Sequence, residues 1–301
     1  MTRSSRTTFL RPLGATLFGA LLLAAPVLGG GDWIGFNNFT TTLISADNGA
    51  VDPVGTTDEF EKDVVAADFD KDGDADLVVV RKVRFSSPGG KRNALFMNEG
   101  GVFTDRTATL APDMLDETDD RDVIAVDVDG DTWLDLVTAT TFSDQPRVYM
   151  NLGTGLGNTW LGFDFEATDN RIVPFGIGPK FCAVVAGDVD NDLDQDLFFV
   201  DYDNDLEDRL LINDGNGFFT DETTTRMTPA MSASAFGTDA QIVDLNDDGW
   251  NDIVKLSTLS DDPNSIRVLY NAPVPILRRH ARIVHGVISE PELIRTNAAL
   301  G

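Results

Sequence analysis

An acidic pattern that recurs four times at a spacing near 60 residues, short apolar runs set between Gly, Asn and Asp, and no sustained 3.6-residue period over residues 60–271 together predict an all-β protein. About 60 residues holding three or four short strands matches one β-propeller blade, whereas a β-sandwich needs roughly 100 residues. The predicted architecture is therefore a β-propeller of 60-residue blades, either closed with four blades or part of a larger ring.

The repeat itself is explicit. Its copies run from Val64 to Leu77, Val123 to Leu136, Val184 to Leu197 and Ala240 to Ile253, and their first acids, Asp68, Asp127, Asp188 and Asp244, lie 59, 61 and 56 residues apart. Each copy is followed by an apolar run ending in Asn, at Asn98, Asn151, Asn213 and Asn271. Two copies continue alike, as Gly101-Val102-Phe103-Thr104-Asp105-Arg106-Thr107 and Gly217-Phe218-Phe219-Thr220-Asp221-Glu222-Thr223, so the unit is longer than its loop.

Numbered from its first acid, each loop carries oxygen-bearing side chains at positions 1, 3, 5 and 9. These are Asp68, Asp70, Asp72 and Asp76; Asp127, Asp129, Asp131 and Asp135; Asp188, Asp190, Asp192 and Asp196; and Asp244, Asn246, Asp248 and Asp252. Alternation turns the first three to one side of a curling backbone. Gly73 and Gly249 at position 6 suit the sharp turn that returns position 9 to the same centre. Carboxylates ~5 Å apart repel by ~3 kcal/mol per pair at an effective dielectric near 20. An all-oxygen set without His or Cys selects a hard divalent cation, calcium before magnesium, because magnesium retains more water. Position 7 varies (Asp74, Trp133, Asp194, Trp250), which fits a backbone carbonyl ligand there. An EF-hand fits poorly, since position 12 holds Val79, Thr138, Phe199 and Lys255 rather than Glu.

The loop and the Asn-terminated run that follows it resemble the FG-GAP/VCBS repeat family over residues 60–271. The resemblance implies one propeller blade per repeat, about one Ca2+ per loop and up to four in all, and extracellular roles in adhesion or in protein or carbohydrate binding. It carries over the side chains at positions 1, 3, 5 and 9 and the carbonyl at position 7 as metal ligands. Thr132 and Leu193 depart from the usual Gly, and Phe163 and Phe165 stand where the second repeat lacks a clear closing strand.

Composition bounds the remaining classes. Fifty Asp and Glu against 23 Lys and Arg give a net charge of −27, which opposes a nucleic-acid surface. The positive charge gathers at the ends. Arg3, Arg6 and Arg11 precede the apolar stretch Leu13 to Leu28, which reads as a signal peptide over residues 1–29, so an exported, secreted, periplasmic or cell-surface protein with no membrane span after cleavage is expected. Residues 272–301 form a basic tail, expected to be poorly ordered, that holds both histidines, His280 and His285. The fourth repeat stops at Asn271 without a closing strand. Either residues 35–42 supply that strand and close a monomeric four-blade ring, or the ring is truncated and the chain associates.

Cys182, the single cysteine, sits beside an apolar run and is expected to be a small buried hydrophobe. Trp133 and Trp250 are expected to pack between blades, and Asp63, Asp122 and Asp239, five residues before three of the loops, to cap turns. With the repeated acids assigned and no His inside the repeats to act as a base, a non-catalytic binding or adhesion module is expected, the alternative being a polysaccharide lyase or hydrolase on a propeller scaffold.

Overall fold

The computed structural model describes residues 60–271 and two short strands at 283–284 and 287–288, apart from 84–87, 143, 166–170, 177–179, 203–206, 235–236, 258–265 and 272–282. The expected signal peptide, residues 35–42 and most of the basic tail lie outside the described residues.

Each repeat is one antiparallel meander. The first sheet orders β1 (Glu61–Ala67), β2 (Asp76–Arg81), β3 (Ala94–Asn98) and β4 (Phe103–Asp105). The second orders β5 (Asp120–Val126), β6 (Asp135–Thr140), β7 (Val148–Asn151) and β8 (Phe163–Asp164). The third orders β9 (Phe181–Gly187), β10 (Asp196–Asp201), β11 (Arg209–Asn213) and β12 (Phe219–Asp221). The fourth has β13 (Gly237–Val243), β14 (Asp252–Ser257) and β15 (Ile266–Leu269), and no closing strand among the described residues. The acidic loop always joins the first two strands, so register follows from the repeat: Val64 pairs with Val79, Val123 with Thr138, Val184 with Phe199 and Ala240 with Lys255.

The sheets pack face to face with their first strands side by side, β1 against β5, β5 against β9 and β9 against β13. This is a propeller arrangement, and it explains why strand residues are apolar on both faces: the core lies between blades. Phe69, Val80, Leu95, Val123, Leu136 and Phe163 fill the first junction. Val128, Val137, Val184, Leu197, Leu211 and Phe219 fill the second, and Val189, Phe198, Leu210, Ala240 and Ile253 the third. A smaller cluster, Val79, Ala94 and Phe96, covers the outward face of the first sheet. Among the described residues, β13 and β1 do not pack as the other neighbours do.

The Gly-x-Phe-x-Asp-x-Thr segment closes a blade by hydrogen bonding. Thr107 Oγ1 accepts from Leu95 N at 2.8 Å and donates to Asp105 at 2.6 Å, while Thr223 Oγ1 accepts from Leu210 N at 2.8 Å. The segment missing from the second repeat leaves β8 only two residues long. Among the described residues helix is confined to single turns such as Thr107–Leu110 and Thr223–Arg226, and none is long and apolar enough to cross a membrane.

Candidate metal centres

Backbone N–H groups shape each acidic loop by pinning its carboxylates one by one. The position-1 carboxylate accepts from position 6: Gly73 N to Asp68 (3.1 Å), Thr132 N to Asp127 (2.8 Å), Leu193 N to Asp188 (3.1 Å) and Gly249 N to Asp244 (2.9 Å). The position-5 side chain accepts from position 7, as in Asp74 N to Asp72 at 3.0 Å and Trp250 N to Asp248 at 3.0 Å. Position 6 has φ between +77° and +102° in every loop, the conformation Gly73 and Gly249 adopt without strain and Thr132 and Leu193 only at a cost of about 1–2 kcal/mol. Position 4 is also left-handed, with φ of 59° at Lys71 and 64° at Asn191.

Three loops thereby gather three carboxylates each, with one oxygen from every member within 4.8 Å of the others: Asp68, Asp70 and Asp76; Asp127, Asp129 and Asp135; Asp188, Asp190 and Asp192. Asp72, Asp131 and Asp196 stand in the same loops outside these trios. In the fourth loop Asn246 takes the place of one acid beside Asp244, Asp248 and Asp252. Trp133 packs on the first junction with the Lys71 ammonium 4.0 Å above its ring, which accounts for its side chain as packing.

Electrostatics and unmet hydrogen bonding both favour a cation. Burial, reinforced by the neighbouring acids, raises Asp70, Asp129 and Asp190. Asp194 is pushed to about 7 by burial and by the hydrogen bond and charge of Asp192. One oxygen each of Asp68, Asp74, Asp190 and Asp194 is buried without a hydrogen-bond partner. These oxygens and the trios fit a hard divalent ion. The third loop carries its own partial neutralisation, because Arg226 reaches Asp190 at 3.0 Å. Asp244 differs: backbone donors led by Gly249 hold it below the usual carboxylate range.

The position-9 acids have a second role that sequence reasoning missed. In Asp76, Asp135, Asp196 and Asp252 one oxygen accepts the position-2 N–H and the other accepts the N–H of the repeat's Asn, at 2.7 to 3.2 Å. Burial moves Asp76 and Asp196 up to about 6 and Asp135 to about 7, against those donors. The Asn in turn staples blades. Asn151 Nδ2 donates to Leu134 O in its own loop and to Phe69 O of the preceding blade; Asn213 reaches Gln195 O and Val128 O, and Asn271 reaches Asn251 O and Val189 O. The recurrence of Asn after every loop was the available signal.

The acid five residues before the loop also joins blades. Asp63 accepts from Val123 N at 3.3 Å and Asp122 from Val184 N at 2.8 Å, so the expectation of a turn cap is corrected. Where Ala183 replaces it, Ala240 N turns to Asp239 of its own blade. Cys182 is half-buried, and burial pushes its thiol to about 11, which fits an inert side chain.

A search of the curated proteins found no match. Among solved structures, the chain is similar to an Agrocybe aegerita lectin, described for specific recognition of non-reducing terminal N-acetylglucosamine, with 19% identity, a TM-score of 0.43, and 73% of this chain and 51% of that one covered. It is also similar to the Bacillus licheniformis rhamnogalacturonan lyase PL11, with 14% identity, a TM-score of 0.37, and 69% and 37% covered. The chain thus spans about half or less of the length of these structures. Residues 68–138 and 188–254, each running from the first acid of one loop through the next, match the model of the FG-GAP-like repeat, so these two stretches are similar to FG-GAP-like repeats.

Proposed function

We propose that this chain is an exported, calcium-binding repeat protein that serves as a non-catalytic binding or adhesion module for a protein or carbohydrate. The observation that carries the calcium reading is the convergence of three carboxylates within 4.8 Å in each of three successive loops. Calcium would be held by Asp68, Asp70 and Asp76, by Asp127, Asp129 and Asp135, and by Asp188, Asp190 and Asp192, with the fourth loop contributing through Asp244, Asn246, Asp248 and Asp252. The ion would supply the positive charge that the acidic clusters lack and fix the loops between the first two strands of each blade. Export is supported by the basic-then-apolar N-terminal sequence.

The repeated acids have assigned places in loops or blade junctions, which supports a binding module over an enzyme. The test is retention of the purified chain on arrays of glycans and immobilised proteins in millimolar calcium. Saturable binding that disappears in chelator, without turnover, is expected. Turnover of a polysaccharide that one unrepeated acid abolishes on substitution would overturn the non-catalytic reading.

A further inference from the structure

Each acidic loop adjoins the next, and the bonds between neighbours differ from junction to junction. Between the third and fourth loops they run both ways. Asn191, at position 4 of the third loop, donates from Nδ2 to Gly249 O at 3.0 Å, and Asn251, at position 8 of the fourth, donates to Asp188 O at 2.7 Å. Each bond ends on backbone that shapes a carboxylate. Asn191 N donates to Asp188 Oδ1 at 2.7 Å and Gly249 N to Asp244 Oδ2 at 2.9 Å, so a continuous path through Asn191 and Gly249 joins the first acids of the two loops.

The other junctions lack this pair of bonds. Lys71, at position 4 of the first loop, donates to Thr132 Oγ1 at 2.8 Å, but position 8 of the second loop is Leu134, which has no polar group to return. Position 4 of the second loop is Gly130, with no side chain to extend toward the third. Among the described residues no loop side chain bridges the second and third loops, and a cleft of about 570 Å³ lies between them, lined by Gly130, Leu134, Asp192, Leu193 and Asp194. The Asn staple crosses all three junctions and so does not distinguish them.

We propose that the third and fourth loops fill with cations as a coupled pair, while the second and third fill independently. This rests on the reading of the acidic loops as metal centres. A cation in the third loop fixes Asp188 and, through it, the backbone of Asn191. The Asn191 side chain then holds Gly249, whose N–H orients Asp244, before the fourth loop has bound anything. The ordering met by the first ion no longer opposes the second, which is positive cooperativity without a change of fold. Linkage requires the fourth loop to favour the third by the same factor.

Terbium titration of the full chain tests this, because a bound terbium ion luminesces when an indole beside it absorbs light. Position 7 is Trp in the second and fourth loops alone, as Trp133 and Trp250, so the part of the signal that Trp250→Phe removes reports the fourth loop. Asn191→Gly gives the third loop the residue that the second has, and Gly adopts the φ of 64° there freely. The fourth-loop midpoint is expected to rise about 5-fold in Asn191→Gly. It should stay in place in Lys71→Ala, which breaks a bond between other loops. In Asp188→Ala, whose third loop cannot fill, the midpoint should already be raised and Asn191→Gly should add little. A midpoint unmoved by Asn191→Gly, or a second shift as large as the first in the Asp188→Ala background, would overturn the coupling and leave the metal centres standing. No terbium signal together with no heat of calcium binding would overturn both.

Discussion

Replacing Asn213 by Ala tests whether the repeated Asn holds neighbouring blades together. The side chain is 4% exposed, donates to Gln195 O at 3.0 Å and Val128 O at 2.8 Å, and accepts from Gly215 N and Gly217 N at 3.1 Å each. At about 1 kcal/mol net per bond, with two buried carbonyls left short of a donor, the loss is about 3 kcal/mol. For a domain of this size that lowers the melting temperature by roughly 6–12 °C. Asn98→Ala removes one exposed donation to Ala75 O and one acceptance from Gly101 N, with no cross-blade bond, and should cost about 1 kcal/mol. The assay is thermal denaturation of both variants in the same calcium concentration. Equal shifts would refute the inter-blade role of Asn213.

Asp122→Asn should remove a pH-dependent weakness. Burial, with the hydrogen bond and charge of Asp63 adding to it, raises Asp122 to about 7, so the native state holds its proton more tightly than the unfolded chain and stability falls as pH rises from about 4 to about 7. The amide still accepts from Val184 N but cannot ionise; urea unfolding should show a gain of about 1–2 kcal/mol at pH 8 and little change at pH 4. Leu193→Gly should stabilise by about 0.5–1 kcal/mol, because Leu193 is 90% exposed and held at φ 82°, while Gly73→Leu should destabilise by a similar amount. Chemical denaturation reads both.

The fold was legible because the repeat writes it several times over. Period, loop position and strand character place β1, β5, β9 and β13 before each loop and β2, β6, β10 and β14 after it. The degenerate second closing segment corresponds to the two-residue β8. Alternation and the position-6 turn made the convergence of acids at positions 1, 3, 5 and 9 legible, and the structure brings Asp68, Asp70 and Asp76 together while leaving Asp72 outside that group. The contacts between blades were not. Asp63 and Asn151 act on groups about 60 and 80 residues away, and a polar residue in a turn-rich sequence has local readings that sequence alone cannot separate from a distant one. The sequence pattern points Asp76 to a metal ligand, and both its oxygens also brace backbone N–H groups, a pairing that only strand order reveals.

Thermal melts of the full chain in excess chelator and in millimolar calcium, paired with a calorimetric calcium titration, test the central claim most directly. The account predicts saturable binding of three to four ions and a melting temperature several degrees higher with calcium, both diminished when Asp68, Asp127 or Asp188 is replaced by Ala. An identical melting temperature in the two conditions, with no heat of binding, would mean that the four acidic loops are turns held by their own backbone hydrogen bonds and not metal centres.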